Sequence, residues 1–306
     1  MSKVLITGVA GFIGSNLAAR LLEEGHEVVG IDNLSYGVKE QIPEGVKFFQ
    51  QDIRSKDIYP LFKEAEYVFH LAAKNCISDC QKDPIETSDI NVTGMVNVLE
   101  AGVRAGVKKV IYAESSAVYE GTNRFPTPED AVDPRSFYAV SKVAGHYFAK
   151  AYKEFYNLNS IGLRYFNVYG PRQDYRRTIP PLMSAFIIKL LKGERPVIYG
   201  NGEKRRDFIY IDDINDAHLL LMKEDKADNE VYNVGFGKNY SVNEIYKAVK
   251  ELLGVDIEPS YQDNLEGEAQ ITLADCAKLK SLGWQPKINL EEGVKRQINY
   301  IKKHVL

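Results

Sequence analysis

The sequence has little cysteine, no apolar run long enough for a membrane span and almost no net charge. It also has no internal repeat and no low-complexity tract. Each absence excludes something. Three cysteines, Cys76, Cys80 and Cys276, in 306 residues make no disulfide framework and fit a reducing, cytoplasmic setting. Cys76 and Cys80 are spaced for one helical face, yet no His or acidic cluster completes a metal site, so both read as structural. A membrane-spanning helix needs about 18 consecutive apolar residues, and the chain has no such run. The N-terminus goes straight into Lys3-Val4-Leu5-Ile6-Thr7-Gly8, too soon broken by glycine for a signal peptide. A net charge of −3 gives no reason for capture of nucleic acid or an anionic membrane. What remains, 44% hydrophobic and 26% charged residues, is the composition of a soluble globular protein with one large or two modest domains.

The first informative stretch is at the start. Val4-Leu5-Ile6 reads as a buried parallel strand. It enters Thr7-Gly8-Val9-Ala10-Gly11-Phe12-Ile13-Gly14, then an amphipathic stretch from Ser15 to Glu24. A second strand, Glu27 to Ile31, ends on Asp32-Asn33. Strand, glycine turn, helix, strand and acid make the dinucleotide-binding βαβ unit. Gly8 permits the tight turn, Gly11 the approach of a pyrophosphate and Gly14 close packing of helix on sheet. The helix N-terminus offers free N–H groups and its positive dipole end to phosphates. Asp32 is placed to accept from ribose hydroxyls and to repel a 2′-phosphate, so NAD is favoured over NADP.

The alternation continues. Val46 to Phe49 is a strand that leads to Asp52-Ile53, where an adenine ring would be contacted. Tyr67 to Ala73 is another, and Leu71, Ala72 and Ala73 leave room for a cofactor beyond His70, which reads as structural. Asn91 sits in the turn that opens a helix running to Ala105. Lys109 to Ala113 is a strand ending at Ser115-Ser116, where an open α/β sheet binds ligands. Those serines can bond a substrate hydroxyl, or merely cap a turn. On the next helix Tyr138 and Lys142 lie one turn apart on one face. A phenol titrates near 10; an ammonium beside it favours the phenolate. The pair is a possible proton-transfer device.

Taken in order, these motifs resemble the extended short-chain dehydrogenase/reductase family, in its nucleotide-sugar epimerase and dehydratase branch. The resemblance extends through Arg164-Tyr165-Phe166-Asn167-Val168-Tyr169-Gly170-Pro171 and Arg206-Asp207-Phe208-Ile209-Tyr210-Ile211-Asp212-Asp213, and so covers essentially the whole chain. It implies that Tyr138 is the base and acid at a sugar hydroxyl. Lys142 would hold the nicotinamide ribose and lower the Tyr138 pKa, and Ser115 would position the hydroxyl. Asn167 and Arg206 would hold the diphosphate of a sugar nucleotide, and Tyr165 would pack near the nicotinamide. Dehydratases and decarboxylases of this type carry an acid two residues before the position of Tyr119. Here that residue is Ala117, which points to an epimerase. Arg172-Gln173-Asp174 resembles the group acting on UDP-N-acetylhexosamines. Thr272 falls at the position of a gate whose small size admits an N-acetyl group. The function implied is a UDP-N-acetylglucosamine 4-epimerase with bound NAD. The alternatives are the same chemistry on UDP-glucose or UDP-glucuronate, or a non-catalytic NAD-binding regulator. Two departures stand out. Leu265 replaces an arginine that contacts the diphosphate, with Arg172, Arg176 or Arg177 as candidate substitutes. Glu120 replaces a glycine.

The fold expected is α/β: a Rossmann-type, mainly parallel sheet with helices on both faces, plus a smaller C-terminal substrate lobe. Residues 1–166 form the NAD-binding domain, with 208–236 returning to it; 167–207 and 237–306 form the lobe. In the lobe a helix opens at Ile179-Pro180-Pro181-Leu182 and runs to Leu191. Asp212 or Asp213 caps the helix that runs to Met222. Ser241 and Glu244 make a capping box, and the last helix spans Leu290 to Lys303. Val143, Tyr147, Ala151 and Phe155 form an apolar stripe on the helix of Tyr138, which is either core or a dimer face. The resemblance implies a homodimer.

Overall fold

Continuous apolar runs become the strands of a central sheet. The computed structural model describes residues 1–176, 180–264 and 269–306. Its first strands are β1 (Lys3–Thr7), β2 (Glu27–Asp32), β3 (Lys47–Gln50), β4 (Tyr67–His70), β5 (Lys109–Ser115) and β6 (Ser160–Tyr165). With Val231–Val234 they form one seven-stranded sheet in the order Val231–Val234, β6, β5, β4, β1, β2, β3. Every pairing in it is parallel. A parallel sheet is covered on both faces, which is why Val4, Leu5 and Ile6 can follow one another fully buried. Val4 and Ile6 join Leu17, Ala18 and Leu21 of the Phe12–Glu23 helix on one face. Leu5 points the other way, to Val98 and Leu99 of the Gly94–Ala105 helix.

The chain runs outward from β1 to β3, then crosses back to β4 and runs outward on the other side. Open α/β sheets form their ligand crevice at such a reversal, beyond the C-terminal strand ends. Here that crevice begins where Thr7 and His70, on adjacent strands, end β1 and β4.

The rest of the chain builds on that edge. Val168–Tyr169 pairs with Ile209–Tyr210, Arg205–Asp207 with Asn239–Ser241, and Val197–Tyr199 with Ser260–Gln262. Helices Leu182–Leu191, Val242–Leu253 and Leu290–His304 pack beside them. Ser241 and Glu244 form the expected capping box. Among the described residues no helix is long and apolar enough to cross a membrane.

Some local expectations are corrected. The Ile211–Lys223 helix has Tyr210 at its N-cap, without a side-chain bond. Asp212 and Asp213 lie inside its first turn instead. Asp213 accepts from Lys287 N and Ile288 N at 2.8 and 3.1 Å, and so ties the C-terminal loop to this helix. The helix expected from Ile179 begins at Leu182 with Pro181 as its N-cap; Ile179 lies outside the described residues. The Asn91 helix extends back through a π-turn, Asp89–Thr93, to Pro84–Ser88. Such turns mark functional sites in many proteins.

Candidate active site

A cavity of about 600 Å³ opens along the crevice and continues to the Arg205–Asp207 segment. Gly8, Gly11, Phe12, Ile13 and Gly14 form one end of its wall. Gly8 has φ +76°, and a Cβ there would come within 2.7 Å of Ala72 N. Only glycine lets the β1 turn lie against the β4 exit in this way. A Cβ on Gly14 would collide with the Gly8 carbonyl, so the helix can start this close to the strand only without one. Gly11 is the N-cap and no side chain caps the helix. Its first N–H groups are thereby left for an anion.

The ribose end is equally well fixed. Asp32 Oδ2 accepts from Ala10 N at 3.0 Å and Oδ1 from Leu34 N at 2.8 Å. Burial pushes its carboxyl up, against those two N–H groups. Asn33 donates to Asp52 Oδ2 at 2.9 Å. Arg54 bonds Asp52 at 2.8 Å and holds its carboxyl well below the usual range. Asp32, Asn33, Asp52 and Ile53 all line the cavity. A glycine cradle, an uncapped helix end and an anchored acceptor beyond it fit a dinucleotide.

Leu71, Ala72, Ala73 and Lys74 form the next stretch of wall. Asn91 stands behind it. Its Oδ1 accepts from Lys74 N at 2.8 Å, and its Nδ2 donates to Lys74 O and to Ser141 Oγ. It is not among the lining residues, so it holds the wall to the next helix. His70 is structural: Thr7 Oγ1 lies 2.8 Å from its Nδ1, and burial, then Lys142, push it down to about 3.

That next helix, Phe137–Tyr156, presents Tyr138 and Lys142 to the cavity. The Lys142 ammonium lies 5.7 Å from the Tyr138 ring centre and donates to Ala113 O at 3.0 Å. Burial pushes Lys142 down to about 8, with Glu114 opposing. The helix start is latched by Glu120. Its carboxylate accepts from Arg135 N, Ser136 N and Ser136 Oγ, and Ser136 Oγ caps Ala139 N. The residue that replaces a glycine therefore anchors the helix bearing Tyr138. Tyr165 lines the same wall, its hydroxyl 2.7 Å from His218 Nε2.

Ser115, at the end of β5, accepts from Ala117 N at 3.2 Å, the capping role. The hydroxyl keeps its own proton for another acceptor. Ser116 opens the short turn that follows. Neither serine is among the lining residues, whereas their neighbours Ala113 and Glu114 are.

Asn167 and Arg206 line the far end. Asn167 Nδ2 donates to Asp207 O and to Thr272 Oγ1 at 3.0 and 3.1 Å. Thr272 Oγ1 also accepts from Asp207 N. The proposed gate residue is thus coupled to a cavity residue without itself lining the wall. Arg172 instead bonds Ser15 O at 2.8 Å, and Arg176 lies 3.9 Å from Asp174. Arg177 and Leu265 lie outside the described residues. Sequence reasoning missed Lys204, which lines this end two residues before Arg206. The basic run Lys204-Arg205-Arg206 was the available signal. Among the described residues no metal-binding group of three His, Cys or acidic side chains occurs.

A family model described as NAD dependent epimerase/dehydratase family matches residues 4–235. A putative UDP-glucose 4-epimerase of Methanocaldococcus jannaschii is 38% identical over 98% of this chain and 99% of its own. The structure of UDP-glucose 4-epimerase with UDP-glucose from Thermotoga maritima superposes with a TM-score of 0.96. It is 37% identical and covers 99% of this chain and 100% of that one. UDP-N-acetylglucosamine 4-epimerase from Methanobrevibacter ruminantium, in complex with UDP-N-acetylmuramic acid, gives 0.95 at 33% identity, over 99% of both chains.

Proposed function

The chain belongs to the NAD dependent epimerase/dehydratase family, and we propose that it is a UDP-sugar 4-epimerase interconverting UDP-N-acetylglucosamine and UDP-N-acetylgalactosamine. One observation carries the chemistry: Tyr138 and Lys142 share a single cavity with the glycine-rich helix start and with Asn167 and Arg206. NAD bound along Gly8–Gly14 and Asp32 supplies a hydride acceptor and donor at the sugar C4. Tyr138, as the phenolate, takes the proton of the C4 hydroxyl and later returns it to the same oxygen when the hydride has come back to the other face of C4. Lys142 keeps the phenolate accessible by its charge. Ser115 uses its remaining O–H to orient the hydroxyl. Asn167 and Arg206 hold the diphosphate, about which the 4-keto sugar turns. Ala117 supplies no acid for eliminating water. Glu114, which lines the wall, is held by Arg164 at 2.7 Å.

Thr272 supports the N-acetyl preference, because a bulky ring there would fill the space an acetamido group needs. The second reading, UDP-glucose as substrate, is supported by the names of the Methanocaldococcus and Thermotoga proteins. Incubation with UDP-N-acetylglucosamine and UDP-glucose separately, without added NAD, decides between them by product analysis. UDP-N-acetylgalactosamine from the first is expected. Faster turnover of UDP-glucose removes the N-acetyl assignment, and no product from either removes both of these substrates.

The same helix supports a homodimer. Tyr147 and Phe155 of its stripe are 65% and 78% exposed, with Phe137 and Val140 half exposed along the same helix. Apolar rings gathered in this way on one helix form a contact face for a second copy.

A further inference from the structure

The cavity wall that carries Lys142 also holds a carboxylate that the proton transfer above leaves without a task. Glu114, on β5, is fully buried, and its Oε2 accepts from Arg164 Nε on β6 at 2.7 Å. Arg164 is shared: its Nη1 also donates to Tyr119 Oη at 2.8 Å and to Glu129 O at 2.6 Å. The other oxygen, Oε1, faces the Phe137–Tyr156 helix. His146 Nδ1, one turn beyond Lys142, stands 3.6 Å from it. The Tyr112 hydroxyl lies 3.1 Å from the same nitrogen. This pocket exists because β6 carries Gly162 opposite Tyr112. A Cβ there would come within 2.7 Å of Glu114 Oε1 and 2.8 Å of the Tyr112 hydroxyl.

Lys142 donates to Ala113 O, the carbonyl that leads directly into Glu114. His70 on β4, held neutral by burial, and Cys80 on the Ile77–Lys82 helix also act on Lys142. Glu114 is thus the carboxylate best placed to act as counter-ion for Lys142, in the same cavity wall and tied back to Arg164.

From this geometry, and resting on the reading of Tyr138 and Lys142 as the proton-transfer pair, we infer that Glu114 is a positioning residue. Its charge sets the pH range over which Tyr138 and Lys142 work, and His146 is the solvent-side point through which that charge is felt. Removing the negative charge, or placing a cation against it, favours the phenolate and disfavours the ammonium together. The whole pH profile must then move to lower pH. A second anion beside it must move the profile up. A carboxylate that only ties β5 to β6 would change stability and leave the profile in place.

The test uses the full chain with its NAD. Glu114→Gln is expected to move both limbs of the kcat profile down by about one pH unit. Glu114→Asp, which keeps the charge, should stay near the parent. His146 is 21% exposed in its side chain, so substitutions there decide the matter even where Glu114→Gln does not fold. His146→Lys should lower the profile and His146→Glu should raise it, each by about half a unit. A second readout needs no turnover: the tyrosinate absorbance that disappears in Tyr138→Phe, titrated in each variant, should move with the same sign. Opposite shifts for the Lys and Glu variants support the assignment. Profiles and tyrosinate midpoints that coincide within a tenth or two of a pH unit overturn it. Failure of every sugar nucleotide to turn over would remove the epimerase reading, while the tyrosinate titration would still judge Glu114.

Discussion

At the scale of single residues, the proposed chemistry rests on Tyr138 and Lys142, which line one cavity. Tyr138→Phe removes the oxygen proposed to exchange the C4 proton. Turnover is expected to fall by at least about 10²-fold, with NAD still bound; a variant that retains activity would refute the role. Lys142 is held at about 8 by burial against an ordinary lysine value of 10.5. Turnover should therefore decline as pH rises past about 8, as the ammonium is lost. The sign for stability is opposite. Between about 8 and 10.5 the unfolded chain binds the Lys142 proton more tightly than the folded one. That residue's contribution to stability therefore rises with pH in this window. Denaturant midpoints of the parent and Lys142→Met across it would show the difference. The spacing of this pair was legible because helix geometry is local. Glu114 was not, because its partners Arg164 and His146 come from another strand and a later helix.

At the scale of elements, two junctions hold the site in shape. The first is the turn from β1 into the Phe12–Glu23 helix. Gly14→Ala would drive a methyl into the Gly8 carbonyl, costing about 1–3 kcal/mol and weakening NAD binding more than substrate binding. Thermal melting with and without NAD checks both. The second is the latch of Glu120 on the start of the Phe137–Tyr156 helix. Glu120→Ala should lose about 2 kcal/mol and lower kcat, since the first turn carries Tyr138. A melting temperature equal to the parent's would discount the latch. The glycine turn was readable in advance, since its requirements lie within one βαβ unit. The capping box at Ser241 and Glu244 was readable for the same reason. Asp212 and Asp213 were misread as caps because acids in a first turn look alike in sequence. Only the distant loop at Lys287 and Ile288 shows that Asp213 is a tether.

At the scale of the whole molecule, the parallel sheet supplies the cofactor crevice, and the segments after β6 close over its end with Asn167, Lys204 and Arg206. The apolar stripe on the Phe137–Tyr156 helix was ambiguous in sequence between core and contact face. Its outward position, with Phe155 78% exposed, supports the homodimer proposed above. Tyr147→Glu together with Phe155→Glu should convert a dimer into monomers in sedimentation analysis. A parent that already sediments as a monomer would dispose of the dimer.

The sequence by itself determined the α/β class, the glycine cradle, the acid at Asp32 and the one-turn spacing of Tyr138 and Lys142. Each is written in neighbouring residues whose spacing has a fixed meaning in strand, turn or helix. Tertiary structure alone decided the rest. It turned Asn91 into a brace rather than a lining residue, made Glu120 a latch, gave Arg172 to the Ser15 carbonyl and tied Glu114 to Arg164. Those roles depend on which side chains meet across long separations. A contact of that kind leaves no periodicity in the chain, because its energy comes from partners that only folding brings together.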